Sequence, residues 1–282
     1  MDPDRIRRAQ HGDADAFTEL IEASDQRHEW HVLACGGPGR QPEVRTSFHV
    51  HSGPMTTLRS TVDIAARQAI AERTEALFRR SGALRDGHFS LKSGRHSDAY
   101  LEKFAVLSDP AATSELCGFW AARVRDADGT PAVDLVAGPT TGGVILAFET
   151  GRQLGTRAIF AEEVRGDDGT THREFRRGFT IGEGERVLLV DDILTTGGSL
   201  LAMIPAVEAL GGEIVECAVM VDRSGGLQTL TSPTTGRVYA LRSLWSLDLP
   251  TYEPGPATCP RCAEGEPAIK PGSSGTGVGA GS

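Results

Sequence analysis

An α/β fold with a central, mostly parallel sheet flanked by helices is the architecture the sequence predicts, and three observations predict it. Short apolar runs suited to buried strands alternate with longer stretches of helical periodicity over most of residues 62–226. Two of those runs, "VDLVAG" and "RVLLVDD", lead directly into small-residue loops and then into helices. The composition is that of an ordinary globular chain, with 282 residues, 39% hydrophobic and 24% charged.

The elements follow in order. Residues 1–54 differ from the rest. "RIRRAQHGDADAFTELIEA" has the spacing of a short amphipathic helix, with Ile6, Ala9, Phe17, Leu20 and Ile21 as its apolar positions. The Gly- and Pro-rich "CGGPGRQPEVRTSFHVHSGP" after it reads as linker. His49 and His51 in that linker read as solvated side chains rather than half of a metal site. The segment 1–54 is expected to be a flexible extension, or to lie upstream of a true start at Met55. A helix is expected over 62–80, with Ile64, Ile70, Leu77 and Phe78 facing inward. "DGHFSLKSGRHSDAYLEK" (86–103) alternates like a strand or a hairpin around a Ser-Gly turn. A helix over about 109–127 leads to the strand "VDLVAG", the loop "PTTGG" and the helix "VILAFETGRQLG".

"TRAIFAEEV" is the next strand, and the polar stretch 165–185 is an exposed loop or hairpin. "RVLLVDD" is a strand, "ILTTGGS" a loop, "LLAMIPAVEALGG" a helix and "EIVECAVMVDRSGG" another strand. The domain organisation expected is a flexible 1–54, a folded 55–250 and a C-terminal extension 251–282 whose last dozen residues are disordered.

Charge and cysteine usage narrow the classes. A net charge of −9 and a pI near 5.4 argue against a protein that coats nucleic acid. They leave room for a small anionic substrate, which needs only a local cluster of donors. Cys35, Cys117, Cys217, Cys259 and Cys262 are odd in number and scattered, which suits a reducing compartment rather than a disulfide framework. No apolar run approaches the roughly 18 residues a membrane helix needs, and no signal core opens the chain, so a cytoplasmic protein is expected. Cys259-Pro-Arg-Cys262 is half of a zinc site or a redox pair. No second CxxC completes it, although Cys217 or a histidine would serve; a reduced pair on a surface extension is the expectation.

The chemistry concentrates in "RVLLVDDILTTGGSL" (186–200). In an open α/β sheet, ligands bind beyond the carboxyl ends of the strands, which is where Asp191 and Asp192 fall. The loop behind them opens a helix, whose unpaired N–H groups and partial positive charge suit a phosphate. Gly197 and Gly198 permit close approach, and Thr195, Thr196 and Ser199 add hydroxyls. Carboxylates accept from vicinal hydroxyls and offset positive charge on a sugar ring. A sugar phosphate fits both halves. No GxxxxGK[ST] and no strand followed by GxGxxG occurs.

This stretch resembles the signature of type I phosphoribosyltransferases, which bind phosphoribosyl pyrophosphate. "GHFSLKSGRHSDAYLE" resembles the N-terminal hood segment of the orotate phosphoribosyltransferases, "AGPTTGGV" their pyrophosphate loop, and "VMVDRSGG" their late strand ending in Asp-Arg. The resemblance spans about 62–250 and implies the type I phosphoribosyltransferase fold with a small N-terminal hood. It further implies that Asp191, Asp192, Ile193, Leu194, Thr195, Thr196, Gly197, Gly198 and Ser199 hold the ribose 5-phosphate, with the two aspartates on the ribose hydroxyls.

By the same resemblance, Thr140, Thr141 and Gly142 present N–H groups to pyrophosphate, and Lys92 is the hood lysine that reaches substrate. Thr195, Arg223, Tyr100 and Leu101 contact orotate; an arginine offers a planar anion a planar fork of donors. Family members close a mobile basic loop over the partner subunit's site. Here that loop carries Arg165, His172, Arg173, Arg176 and Arg177, and the candidate catalytic set is Asp191, Asp192, Arg165, His172 and Arg173.

The sequence departs from the commoner pattern in two places. "FAEEV" stands where many members have an Arg-Lys pair, and Thr140-Thr141 where many carry a lysine. The implied cofactor is Mg2+, bridging pyrophosphate and ribose oxygens with no direct protein ligand. The implied assembly is a homodimer with shared active sites, working in de novo UMP synthesis with neither nucleic acid nor membrane as partner. Two alternatives stand beside it. One is a phosphoribosyltransferase for another base; a purine enzyme would show an aromatic stacking partner. The other is a non-catalytic regulator of the same fold, whose only support is the N-terminal stretch.

Overall fold

Strands buried on both faces determine the layers of this molecule. A computed structural model of the chain describes residues 55–91, 93–126, 128–166 and 169–271, with side chains from 64 onward. The extension 1–54, Lys92 and the tail beyond 271 lie outside the described residues. Helix α1 (Met55–Arg80) leads to a hairpin of β1 (Leu84–Ser90) and β2 (His96–Leu101). Helices α2 (Lys103–Leu107) and α3 (Pro110–Arg123) follow, then β3 (Leu135–Pro139), α4 (Gly142–Leu154), β4 (Arg157–Arg165) and β5 (Thr171–Glu174). Next come β6 (Arg186–Leu194), α5 (Gly198–Ala209), β7 (Glu213–Asp222), β8 (Thr229–Thr231), β9 (Val238–Ser246) and a single helical turn, α6 (Pro260–Ala263).

The main sheet has seven strands in the order β5-β4-β3-β6-β7-β9-β8. The five inner strands run parallel, and β5 and β8 close the edges antiparallel. Successive side chains of a strand point to opposite faces. Val136, Leu188, Val190, Ala218 and Met220 accordingly pack with Leu77 and Phe78 of α1, Leu116 and Trp120 of α3 and Leu146 of α4. Their sequence neighbours Leu135, Leu189, Cys217 and Val219 pack with Leu200, Met203, Ile204 and Val207 of α5. Each fully buried Leu or Val contributes about 1.5–3 kcal/mol of hydrophobic stabilisation. This two-sided burial is why the strands read as continuous apolar runs.

Among the described residues, the expected helices and strands are present, with shifted ends, but Ile64, expected to face inward, is exposed. Helix α3 starts one residue late because the Asp109 carboxylate accepts from the N–H groups of Ala111 and Ala112, with Pro110 in the first turn. Helix α4 begins at Gly142, so the loop before it shrinks to Thr140-Thr141. Strand β6 continues two residues past the aspartates, because Ile193 and Leu194 pair with Val221 and Asp222 of β7. The segment 165–185 is in part a hairpin, and Arg165 is the last residue of β4 rather than a loop residue.

The β1–β2 hairpin forms the hood. The C-terminal segment returns to it: His96 and Tyr252 exchange backbone hydrogen bonds of 2.8 Å, and Ser90 and His88 bond to Ile269 at 2.8 Å. Ser97 Oγ donates to Pro250 O at 2.9 Å, and Arg95 donates to Thr251 and pairs with Glu253. The CxxC expected on a surface extension is therefore packed against the hood, with Cys259 only 1% exposed. Among the described residues, no helix is long and apolar enough to cross a membrane.

Candidate active site

Three adjacent parallel strands, β3, β6 and β7, end side by side and carry the loops that the sequence singled out. This is the crevice beyond the carboxyl ends of a parallel sheet. Strand β3 delivers Thr140 and Thr141, which precede the first turn of α4; the peptide between them is cis. Strand β6 delivers Thr195, Thr196 and Gly197 to the first turn of α5. Gly197 has φ +79 and caps α5 without any side-chain hydrogen bond, so the N–H groups of that first turn have no capping side chain. A side chain there would be strained by φ and would meet Leu230 at 3.0 Å. Thr195, Thr196 and Gly198 are exposed and Ser199 is half-buried.

Asp191 and Asp192 are buried, at 7% and 4% exposure. The Asp191 carboxylate accepts from Asp192 N–H at 2.8 Å, and Asp192 Oδ1 accepts from Ile193 N–H at 2.7 Å. Lys103 Nζ donates to Asp192 Oδ1 at 3.0 Å and lies 2.9 Å from Oδ2. Burial first, and the adjacent Asp192 carboxylate second, raise the Asp191 carboxyl to about 7. Gly142 presses against this pair: a Cβ there would sit 2.0 Å from Asp192 Oδ2. The pyrophosphate-type loop and the acidic pair thus share one wall, and only glycine leaves room for both.

The 165–185 hairpin contributes one arm to this wall. Arg173 Nη1 donates to Thr140 Oγ1 at 2.9 Å, its Nη2 lies 3.5 Å from Glu163, and its side chain is 10% exposed. His172 points away, bonded to Glu174 at 2.7 Å; Arg176 pairs with Glu174 and Arg177 with Glu162. Arg165 is exposed at the end of β4. Of the basic candidates, Arg173 alone is shown reaching the loop of its own chain.

Arg223 follows β7, and its N–H bonds to Leu194 O at 2.7 Å, beside the end of β6. The turn is held by Asp222, whose carboxylate accepts from Ser224 N–H at 2.7 Å and from its hydroxyl. Arg223 Nε is buried with no hydrogen-bond partner among the described residues, and burial lowers the guanidinium's pKa.

Other candidates have ordinary packing roles. Leu194 lies in the core with α5, Ile193 packs against the opposite layer, and Leu101 is buried with α1 and α3. Tyr100 packs its ring on Phe89 at 5.5 Å and under Arg85 at 5.6 Å. Lys92 lies outside the described residues.

Lys103 was not singled out by sequence reasoning. It is one of three lysines in the chain and directly follows the hood motif, and that rarity was the available signal. Its contact with Asp192, 89 residues away, has no local signature.

The family model of the phosphoribosyl transferase domain matches residues 107–232, which span β3, β6, β7 and their loops. Among solved structures, the orotate phosphoribosyltransferase of Mycobacterium tuberculosis H37Rv is 25% identical with a TM-score of 0.48, covering 62% of this chain and 96% of that one. The orotate phosphoribosyltransferase of Caldicellulosiruptor saccharolyticus is 44% identical over 197 residues, 70% of this chain and 94% of that protein. That of Methylobacterium sp. (strain 4-46) is 44% identical over 199 residues, 71% of this chain and 94% of that protein. At this identity and coverage, the chain belongs to the orotate phosphoribosyltransferase family.

Proposed function

We propose that the protein transfers the 5-phosphoribosyl group from phosphoribosyl pyrophosphate to orotate, giving orotidine 5′-monophosphate and pyrophosphate in pyrimidine synthesis. The observation that carries the orotate reading is Arg223, whose Nε is buried and unpaired beside the β6 loop. A half-buried guanidinium whose Nε has no protein partner suits a planar carboxylated base. The open first turn of α5 suits the 5-phosphate, and the N–H groups of Gly142 and Gly143 in the first turn of α4 suit pyrophosphate. Asp191 and Asp192 would accept from the ribose hydroxyls and face the positive charge that builds on the ring as the bond to pyrophosphate loosens.

Mg2+ carried by the substrate would neutralise the leaving pyrophosphate. The carboxylate pair is compatible with such an ion in the crevice, since hard oxygen donors suit it. Arg173, placed on the Thr140 loop, would hold that loop toward the leaving group. Pairing of two copies is supported by an apolar patch in which Ile145 and Phe148 are exposed on α4 and Phe104 on adjoining α2. A cytoplasmic setting is the natural one for these substrates.

The test is orotate consumption followed by ultraviolet absorbance, with phosphoribosyl pyrophosphate and Mg2+, beside an Asp191→Asn/Asp192→Asn control. Loss of orotate that vanishes in the control supports the reading. A folded wild type that binds the sugar pyrophosphate yet leaves orotate unchanged overturns it, in favour of another base or a regulator.

A further inference from the structure

We propose that His88, His96, Cys259 and Cys262 form a structural zinc site that clips the C-terminal segment to the hood. The four side chains come from two places far apart in sequence, and one ligand atom of each lies within 4.8 Å of the others. His88 Nε2 is 3.5 Å from Cys259 Sγ and 3.7 Å from Cys262 Sγ, and His96 Nδ1 is 3.3 Å from Cys262 Sγ. A tetrahedral zinc with ordinary Zn–S and Zn–N bonds has N···S edges of about 3.5 Å. The three measured edges straddle that value. The two ring nitrogens, 2.7 Å apart, need to open to about 3.3 Å to share the ion.

The surroundings fit a metal-binding role. His88 Nδ1 donates to Glu266 O at 2.6 Å, which leaves the Nε2 lone pair aimed at the thiols. A second hydrogen bond of this kind usually orients a metal-bound imidazole. His88 and Cys259 are each 1% exposed, so the site is largely closed, as structural zinc sites are. Both cysteines are free thiols. A dithiol redox pair would account for the cysteines but not for two histidines converging on them. Thiolate and imidazole donors together select zinc over magnesium or calcium.

The site also has mechanical sense. A two-stranded hairpin is marginal alone, and this one is joined to the returning segment by backbone bonds at His88, Ser90 and His96 and by side-chain bonds from Arg95 and Ser97. The ligands His88 and His96 sit on β1 and β2, one on each side of the connection between the two strands. Zinc would fix the geometry of that connection.

The experiment uses the full chain purified without chelator and passed through a desalting column. Elemental analysis is expected to find one zinc per chain, retained in Cys35→Ser and lost in Cys259→Ser/Cys262→Ser. Cobalt loaded in place of zinc should give the intense visible absorption of a tetrahedral cobalt thiolate, a signature that does not depend on a variant folding. Stripping the metal should lower the melting temperature, and zinc should restore it. Retained zinc that survives the double cysteine change, octahedral-type cobalt spectra, or a Cys259–Cys262 disulfide in the purified protein would each overturn the proposal.

Discussion

At the scale of single residues, the acidic pair makes two measurable demands. Asp191 has its carboxyl raised from 3.8 to about 7, first by burial and then by Asp192. The folded state therefore holds this proton more tightly than the unfolded state does. The carboxylate works increasingly against folding as pH rises from about 3.8 to about 7, and the effect is constant above that. Asp191→Asn keeps the acceptor for Asp192 N–H and removes the charge. It should melt above wild type at pH 8, by roughly a few degrees, with the margin narrowing as pH falls toward 4. Scanning fluorimetry across this range decides it, and a margin independent of pH would contradict the assignment.

Gly142 makes the second demand, because its missing Cβ is what lets α4 approach Asp192. Gly142→Ala forces the carboxylate off Lys103 and the Ile193 N–H. Overpacking of this kind costs about 1–3 kcal/mol. The expected outcome is a lowered melting temperature with at least a tenfold loss of turnover, measured by orotate absorbance. An alanine variant of wild-type activity would show that Asp192 need not hold this position.

At the scale of elements, the hairpin β4–β5 brings Arg173 to Thr140 while turning His172 and Arg176 toward Glu174. Arg173→Ala should lower kcat by about 10–100-fold, the size expected for a group that organises charge stabilisation, with little change in melting temperature. His172→Ala should change kcat far less, and steady-state kinetics on both variants compares them.

Local pattern made most elements legible. β3, β6 and β7 are continuous apolar runs because both their faces are covered. The end of β6 was read two residues short, because "DD" looks like a turn and only pairing with β7 keeps Ile193 and Leu194 extended. β9 carries Arg242 and Ser243 inside its run, which blurs the alternation, and β8 is three residues long. In the site, the loop and helix start behind Asp191 and Asp192 were legible because strand, loop and helix are consecutive. Lys103 on Asp192 and Arg173 on Thr140 were not, since each joins residues distant in sequence.

At the scale of the whole molecule, the C-terminal segment returns to the hairpin formed near the start of the folded chain. The sheet is complete by Ser246, yet the hood is not, because Pro250, Thr251, Tyr252 and Ile269 supply the bonds that seat it. Synthesis runs from the amino end, so β1 and β2 emerge early and wait for nearly the entire chain before their partners leave the ribosome. A contact of such long sequence separation is slow to form on entropic grounds. Folding therefore has a built-in last step. A message cut short after β9 would yield a protein with its sheet assembled and its hood unfastened, and the cell's proteases would have the open hairpin as their point of entry.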